Sequence, residues 1–117
     1  CGTDIIEIAR IKDAIEKEGF KERVYTEKEI EYCESKNVQK YQSYSGRFAA
    51  KEAIFKALST FIKDKYKIKW TDFEIINDKK GKPNVQINTN ILDKSLIKNI
   101  DISKFEENKK WVSITFI

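Results

Sequence analysis

The densest group of residues that could do chemistry lies between residues 45 and 58, in the stretch SGRFAAKEAIFKAL. It places one carboxylate, Glu52, among three basic side chains, Arg47, Lys51 and Lys56. Because Glu52 and Lys56 are four residues apart, they share one side of a helix and could form a salt bridge worth about 0.3–0.5 kcal/mol. From the spacing alone, this salt bridge is the plainer interpretation of the group.

The same stretch has the composition of a helix. Ser45 is a fair N-cap, and the strong helix formers that follow it predict a helix over residues 46–62. At about 100° per residue, one side collects three alanines and two larger apolar residues: Ala50, Ala53, Ile54, Ala57 and Phe61. The alanines would let another element approach closely. Phe48 and Phe55 fall on the opposite side, with Glu52, and indicate a second packing partner or a ligand there.

The residue types and motifs that the sequence lacks exclude several classes of catalytic site. The sequence contains no histidine, so the usual serine and cysteine triads and histidine-ligated metals are excluded for these residues. Neither a Walker loop nor a GxGxxG motif is present. Carboxylates, lysines, arginines and hydroxyls remain, and they point to magnesium and phosphate chemistry rather than to acyl hydrolysis.

Length, composition and charge bound the class of protein. A chain of 117 residues with 40% hydrophobic content is long enough for one globular domain. No apolar run approaches the roughly 20 residues of a membrane span, and no signal peptide opens the chain. Two cysteines are too few for a disulfide scaffold or a zinc site, so we expect a cytoplasmic location. Residues 36–69 carry nine basic residues against two acids, which suits an anionic ligand or partner unless it is an ordinary solvated surface.

The segments before the central helix read as a short strand and two helices. Residues 1–8 begin as a short apolar strand or strand end, and Thr3 or Asp4 could cap the amphipathic helix that follows. That helix is predicted to run to about residue 18, where Gly19 stops it. Thr26 and Glu29 form a capping box, which predicts a second helix running to about residue 36. Cys33 on that helix is predicted to be a small buried residue with no lowered thiol pKa. A polar connection over residues 37–44 follows.

After the central helix the pattern changes to that of a hairpin. Strands are predicted at residues 70–76 and 84–88, joined by a turn at 77–83 in which Gly81 allows a left-handed backbone. A short helix is predicted at residues 90–98, and strands at 100–103 and 111–117. Helices and hairpin strands mix without regular alternation. We therefore predict a single α+β domain over residues 1–117, with a small antiparallel sheet packed on the long central helix.

Three motifs together resemble the small, single-domain phosphopantetheinyl transferases of the holo-acyl-carrier-protein synthase type. They are GTDIIEIARI at residues 2–11, RVYTEKEIEYC at 23–33 and GRFAAKEAIFKAL at 46–58. DFEI at 72–75 and GKP at 81–83 fit the same family in order and spacing. The resemblance implies transfer of the phosphopantetheine arm of coenzyme A to a serine of apo-acyl carrier protein, in fatty acid biosynthesis, with release of adenosine 3',5'-bisphosphate.

The resemblance also implies roles for individual residues. Asp4 and Glu52 correspond to the carboxylates that hold Mg²⁺, with Lys56 beside them in the catalytic group. Glu7, one helical turn after Asp4, is either an outer helper of this group or an ordinary solvated glutamate. The contacts to coenzyme A would come from Arg47, Lys51, Lys56, Gly81, Lys82 and Pro83. The basic residues that would receive an acidic helix of the carrier protein are Arg10, Lys17, Lys21 and Arg23. The resemblance further implies a homotrimer with active sites at subunit boundaries, and no nucleic acid or membrane partner.

The match departs from the family near the C-terminus. The family pattern there is a strand ending in Ser-x-x-His, whereas this chain has no histidine after Ser103. Either the sequence lacks a segment at this point, or the chain has diverged and lost nucleotide contacts. The residues do not identify the general base. Two alternatives stay open: a degenerate domain that binds coenzyme A without turnover, and a nucleic-acid-binding module that uses the basic segment and Trp70.

Overall fold

A computed structural model of the chain describes residues 2–62, 64–91 and 111–114. Four helices precede a three-stranded antiparallel sheet of order β1-β2-β3, which confirms the α+β class. The helices and strands are α1 (Gly2–Ile15), α2 (Phe20–Val24), α3 (Glu27–Glu34), α4 (Lys40–Leu58), β1 (Phe73–Asn77), β2 (Pro83–Asn88) and β3 (Trp111–Ile114). None of the helices in these residues has the length and apolar character that crossing a bilayer requires.

The short strand expected at the start of residues 1–8 is wrong, because α1 already begins at Gly2, ahead of the predicted caps Thr3 and Asp4. Isoleucines at positions 8, 11 and 15 recur at intervals of three and four, and this helical period governs the whole segment. Ile11 is 5% exposed and packs into the core. The helix ends at Ile15, three residues before the predicted end, and Gly19 then adopts the left-handed conformation at φ 84° as the N-cap of α2.

The capping box of α3 is confirmed. The Thr26 hydroxyl accepts a hydrogen bond from the Glu29 amide at 3.3 Å, and the Glu29 carboxylate accepts one from the Thr26 amide at 2.9 Å. Because each side chain satisfies a free amide of the first turn, the helix has a defined start. It ends at Glu34, two residues before the predicted end.

The central helix starts earlier than predicted, at Lys40, so the connection expected over residues 37–44 is wrong beyond Gln39 and Ser45 is not an N-cap. Tyr44 explains the extension, because it continues the buried side of the helix and is 0% exposed. Its hydroxyl donates to Glu34 Oε2 at 2.6 Å, and its ring meets the ring of Tyr25 edge-on at 4.8 Å. The helix ends at Leu58 and passes into a 3-10 turn, Ser59–Phe61.

The buried side of α4 differs from the predicted alanine side. Its buried residues are Tyr44, Arg47, Lys51, Ile54 and Leu58. Ala53 and Ala57 are exposed, so the close approach expected at the alanines does not occur within the described residues. The prediction of the buried side was wrong because two of the buried positions are cations, and a hydropathy pattern assigns cations to solvent.

Phe48 and Phe55 find their packing partners inside the chain. The Phe48 ring stacks on Trp70 with centroids 4.9 Å apart and lies 6.4 Å from the Phe20 ring. Phe55 packs against the core between α4 and the sheet, whose members are Ile54, Leu58, Ile62, Phe73, Ile75 and Ile87. A second core joins α4 to the preceding helices and contains Ile11, Val24, Tyr25, Cys33 and Tyr44.

A buried ion pair ties these layers together. Lys51 Nζ lies 2.6 Å from Glu29 Oε1, and both side chains are 0% exposed. The ammonium also donates to the carbonyl oxygens of Val24 at 2.7 Å and Trp70 at 3.2 Å. The other Glu29 oxygen accepts the Ile75 amide of β1 at 3.0 Å. Burial lowers the pKa of Lys51, while the Glu29 carboxylate acts in the opposite direction.

The predicted hairpin is confirmed, with its first strand starting at Phe73 and residues Trp70–Asp72 in a 3-10 turn. Phe73 lies opposite Ile87 and Asn77 opposite Pro83. The expected strand at 111–117 is confirmed over Trp111–Ile114, which pairs with β2. Most of the helix expected at 90–98, the strand expected at 100–103 and residues 115–117 lie outside the described residues.

Removing either charge of the buried pair should destabilise the fold by about 3–5 kcal/mol, because the remaining charge stays buried without its partner. We expect Glu29→Gln and Lys51→Met each to lower the free energy of unfolding by this amount in urea titrations. The double variant should lose clearly less than the sum of the two. Lys28→Met, an exposed lysine on α3, should stay within about 0.5 kcal/mol of the wild type. Additive losses would contradict the coupling.

Burial of Cys33 should make stability depend on pH in the alkaline range. Burial raises the pKa of the Cys33 thiol from 9.0 to about 11. Between these values the unfolded chain has lost a proton that the folded chain keeps, so the free energy of unfolding falls as pH rises. In urea titrations across this range, Cys33→Ala should fall less steeply than the wild type. Buried Tyr25 and Tyr44 remain in both proteins, so parallel curves would contradict the assignment.

Candidate functional site

A concavity of about 300 Å³ lies where α4 meets the chain leading into β1, and we call it the α4 cavity. Its lining residues are Glu52, Phe55, Lys56, Ile68, Lys69, Trp70 and Phe73. The spacing of three and four residues on α4 brings Glu52, Phe55 and Lys56 to one side of the helix. The α4 cavity therefore combines a helix side that the sequence predicts with a segment that only the tertiary fold brings there.

Glu52 and Lys56 are both available to a ligand. Within the described residues, neither the Glu52 carboxylate nor the Lys56 ammonium has a hydrogen-bond or ion-pair partner, so the possible salt bridge between them is not formed. Glu52 is half-buried and Lys56 is exposed. Lys69 adds a second exposed ammonium, while its main-chain amide donates to Asp72 Oδ2 at 2.8 Å.

The rest of the α4 cavity is apolar. Phe73, which is 1% exposed, separates the α4 cavity from the core. Trp70, in contrast, is 38% exposed. Half-buried Phe55 and Ile68 complete the apolar lining. Such a mixture suits a ligand that has a charged part and an uncharged part.

The donor set fits a magnesium–phosphate ligand. Mg²⁺ takes one or two carboxylates and completes its shell with water and substrate phosphate oxygens. Glu52 supplies one free carboxylate, and Lys56 and Lys69 supply cations for phosphate oxygens. The described residues contain no group of three or more potential metal-ligating side chains, so a site held by protein ligands alone is not found among them.

The second expected carboxylate, Asp4, lies in the first turn of α1, and α1 packs along α4. The expectation that it follows a strand is wrong, since the strand is replaced by helix. Its side chain lies outside what the structure describes, so its metal role stays a prediction. The Glu7 carboxylate binds Arg10 Nη1 at 2.9 Å and is thereby engaged within α1.

The structure places Lys51, which was predicted to contact phosphate, inside the fold, and the phosphate contact stays a prediction. Its ammonium is fully buried and donates to Glu29, Val24 and Trp70, which occupies its three N–H groups. Lys51 therefore acts inside the fold, although it precedes Glu52 in the sequence.

Arg47, also predicted to contact phosphate, is engaged with β1, and its phosphate contact stays a prediction. Arg47 is 8% exposed and does not line the α4 cavity. Its Nη2 donates to Asn77 Oδ1 at 2.5 Å and to the Ile75 carbonyl at 3.5 Å. The guanidinium carbon lies 4.2 Å from the centre of the Tyr32 ring. The side chain thus ties α4 to the end of β1.

The turn that carries Gly81, Lys82 and Pro83 is exposed and does not line the α4 cavity of this chain. It is nevertheless attached to α4, because Asn77 accepts from Arg47 and donates through Nδ2 to the Gly81 carbonyl at 3.0 Å. Gly81 has φ 84°, which confirms the predicted left-handed backbone. No sequence signal marked Asn77 as part of this connection.

The basic residues predicted for partner binding are spread over α1, α2 and the turn between them. Arg10, Lys17 and Arg23 are exposed, and Lys21 is half-buried. Arg10 is paired with Glu7. Their partner role stays a prediction.

A model of the 4'-phosphopantetheinyl transferase superfamily matches residues 1–112 of the chain. The chain belongs to this superfamily. It is 54% identical over 94 residues to the holo-[acyl-carrier-protein] synthase of Clostridium tetani, covering 80% of this chain and 71% of the relative. The protein of the same name from Chlorobium limicola is 40% identical over 118 residues, covering 99% and 90%. The one from Ruminiclostridium cellulolyticum is 53% identical over 88 residues, covering 74% and 64%. No solved structure matches the chain.

Asn77→Ala should release the turn at Gly81 from α4. The substitution leaves the buried Arg47 guanidinium without one acceptor, so we expect a loss of about 1–3 kcal/mol in the free energy of unfolding. Amide hydrogen exchange at residues 79–82 should become faster. Asn84→Ala, an exposed asparagine on β2, is the matched control and should change neither quantity. Unchanged exchange in Asn77→Ala would show that the turn does not depend on this connection.

Proposed function

We propose that this chain transfers the 4'-phosphopantetheine group of coenzyme A to a serine of apo-acyl carrier protein. The products are holo-acyl carrier protein and adenosine 3',5'-bisphosphate, and the role is in fatty acid biosynthesis. One observation carries the proposal: in a member of this superfamily, a free carboxylate and a free ammonium, Glu52 and Lys56, line one cavity with an apolar wall. The relatives' name, holo-[acyl-carrier-protein] synthase, supports it.

Each side chain of the α4 cavity has a part in this reaction. Lys56 and Lys69 would neutralise the pyrophosphate oxygens of coenzyme A, whose charge rises as the phosphoryl group departs. Glu52 and, from the resemblance, Asp4 would hold Mg²⁺, which when bound supplies further charge stabilisation. The apolar wall excludes water from the reacting group. The general base is left unassigned.

We extend the proposal to the partners. Arg10, Lys17, Lys21 and Arg23 would orient an acidic helix of the carrier protein and raise the encounter rate. The turn at Gly81 would border the nucleotide. A homotrimer with sites shared between copies would reconcile this role with the turn's position away from the α4 cavity of its own chain. Light scattering would test the trimer, and a stable monomer would contradict it. Phe48 and Phe55 pack within the chain and do not bear on it. The cytoplasmic location stays a prediction.

The nucleic-acid alternative loses part of its basis. It needs exposed aromatic rings among basic residues, and Phe73 is buried, whereas Trp70 stays 38% exposed beside Phe48 and Tyr66 is exposed. The degenerate alternative rests only on the missing histidine.

Glu52→Gln should abolish transfer while leaving the fold intact, because it removes the cavity's free carboxylate charge without changing its size. We expect a loss of about 100-fold or more, the scale found when a group that stabilises the transition state is removed. The measurement is the intact mass of apo-acyl carrier protein after incubation with this chain, coenzyme A and Mg²⁺. Glu31→Gln, an exposed glutamate on α3, is the matched control and should stay active.

The outcomes of this assay separate the alternatives. A mass increase of one phosphopantetheine, lost with a chelator and in Glu52→Gln, supports the proposal. Full activity in Glu52→Gln would contradict the role of that carboxylate. Binding of coenzyme A without any transfer by the wild type would favour the degenerate domain. Oligonucleotide binding that weakens steeply with salt would favour the nucleic-acid module.

A further inference from the structure

Lys51 links the buried ion pair to the wall of the α4 cavity. Its ammonium donates to the main-chain carbonyl of Trp70 at 3.2 Å while it is paired with Glu29 at 2.6 Å. Trp70 lines the α4 cavity beside Glu52 and Lys56. Because Lys51 and Glu52 are adjacent on α4, one turn of helix carries both the anchor of the wall and the free carboxylate.

Lys51 is one of the groups that hold the chain at Trp70. Trp70–Asp72 form a 3-10 turn ahead of β1 and are not paired in the sheet. Inside the turn, the Lys69 amide bonds to Asp72 at 2.8 Å, which holds the turn together without fixing it to α4. Within the described residues, two interactions join it to α4: the Lys51 hydrogen bond to the Trp70 carbonyl, and the stacking of the Trp70 ring on Phe48 at 4.9 Å. Asn88 of β2 also donates through Nδ2 to Asp72 Oδ1 at 3.1 Å, so the far end of the turn is held by the sheet.

We propose that Lys51 is a positioning residue for the binding of coenzyme A. Lys51 holds Trp70 in place, and the indole of Trp70 is the contact surface for the uncharged part of that ligand. This proposal rests on the proposed function, because it takes coenzyme A as the ligand of the α4 cavity. The 38% exposed indole already has one partner in Phe48 and presents the largest partly exposed apolar surface of the α4 cavity. Trp70 is therefore the contacting residue, and Lys51 acts through it.

When Trp70 is already held in position, binding of coenzyme A does not carry the entropic cost of ordering that residue. Losing the anchor should weaken binding of the ground state and of the transition state alike. The expected signature is a raised KM for coenzyme A with little change in kcat. Loss of Glu52 would instead lower kcat, so the two roles differ in their kinetics.

The double variant Glu29→Gln/Lys51→Met separates positioning from stability. It leaves no unpaired buried charge, so the fold is retained, but methionine has no donor for the Trp70 carbonyl. The sequence contains two tryptophans, Trp70 and Trp111. Both the double variant and the wild-type reference therefore carry Trp111→Phe, so that Trp70 is the only tryptophan that emits. Lys28→Met in the same background is the control for loss of an exposed lysine.

The first readout needs no ligand. The double variant should show a red-shifted Trp70 emission and at least about twofold stronger quenching by acrylamide than the wild type. In the transfer assay its KM for coenzyme A should rise about tenfold, with kcat within about twofold. Lys28→Met should match the wild type in every readout. A folded double variant with unchanged emission, quenching and KM would overturn the proposal.

A second variant keeps the proposal testable if the double variant does not fold. Trp70→Leu retains the main-chain carbonyl that Lys51 holds but removes the indole, so its KM for coenzyme A should also rise. An unchanged KM would overturn the proposal. A wild-type chain that neither binds nor uses coenzyme A would overturn the proposed function and the ligand named here. The emission comparison would then still decide whether Lys51 positions Trp70.

Discussion

The fold depends on one constraint: the charges of Glu29 and Lys51 are removed from water and must satisfy each other inside the protein. Burying a single charge costs several kcal/mol, and attraction between two charges offsets that cost only when their remaining hydrogen-bonding capacity is also used. Here that condition is met by the amides of Thr26 and Ile75 and the carbonyls of Val24 and Trp70. Few other placements of α2, α3, α4 and β1 would supply all four groups together.

The ion pair also determines what the central helix offers to a ligand. With Lys51 directed into the protein, Glu52 and Lys56 necessarily lie on a neighbouring side of α4, where they line the α4 cavity. Arg47 repeats the arrangement one turn earlier, by binding Asn77 at the end of β1. The four charged residues of the motif thus divide into two that hold the sheet against the helix and two that face the cavity. This division explains how a short motif can serve structure and chemistry at once.

Some residues have a structural role that the sequence predicted, and others do not. The capping box at Thr26, the hairpin around Gly81 and the burial of Cys33 were predictable, because each depends on local backbone preference or on a small apolar side chain. The roles of Lys51 and Arg47 were not. A lysine that bonds to phosphate and a lysine that bonds to a buried carboxylate have the same spacing, and only the partner distinguishes them. The partner of Lys51 lies 22 residues away in the chain.

By itself the sequence determined the superfamily, the α+β class, and the helical side that carries Glu52 and Lys56. These properties follow from local periodicity, from residue type and from motif order, none of which requires knowledge of distant contacts. Only the tertiary structure decided where α4 begins, which of its sides is buried, and that Trp70 and Lys69 complete the cavity. These depend on pairings between segments far apart in the chain, such as Glu29 with Ile75, and local preferences do not specify such pairings.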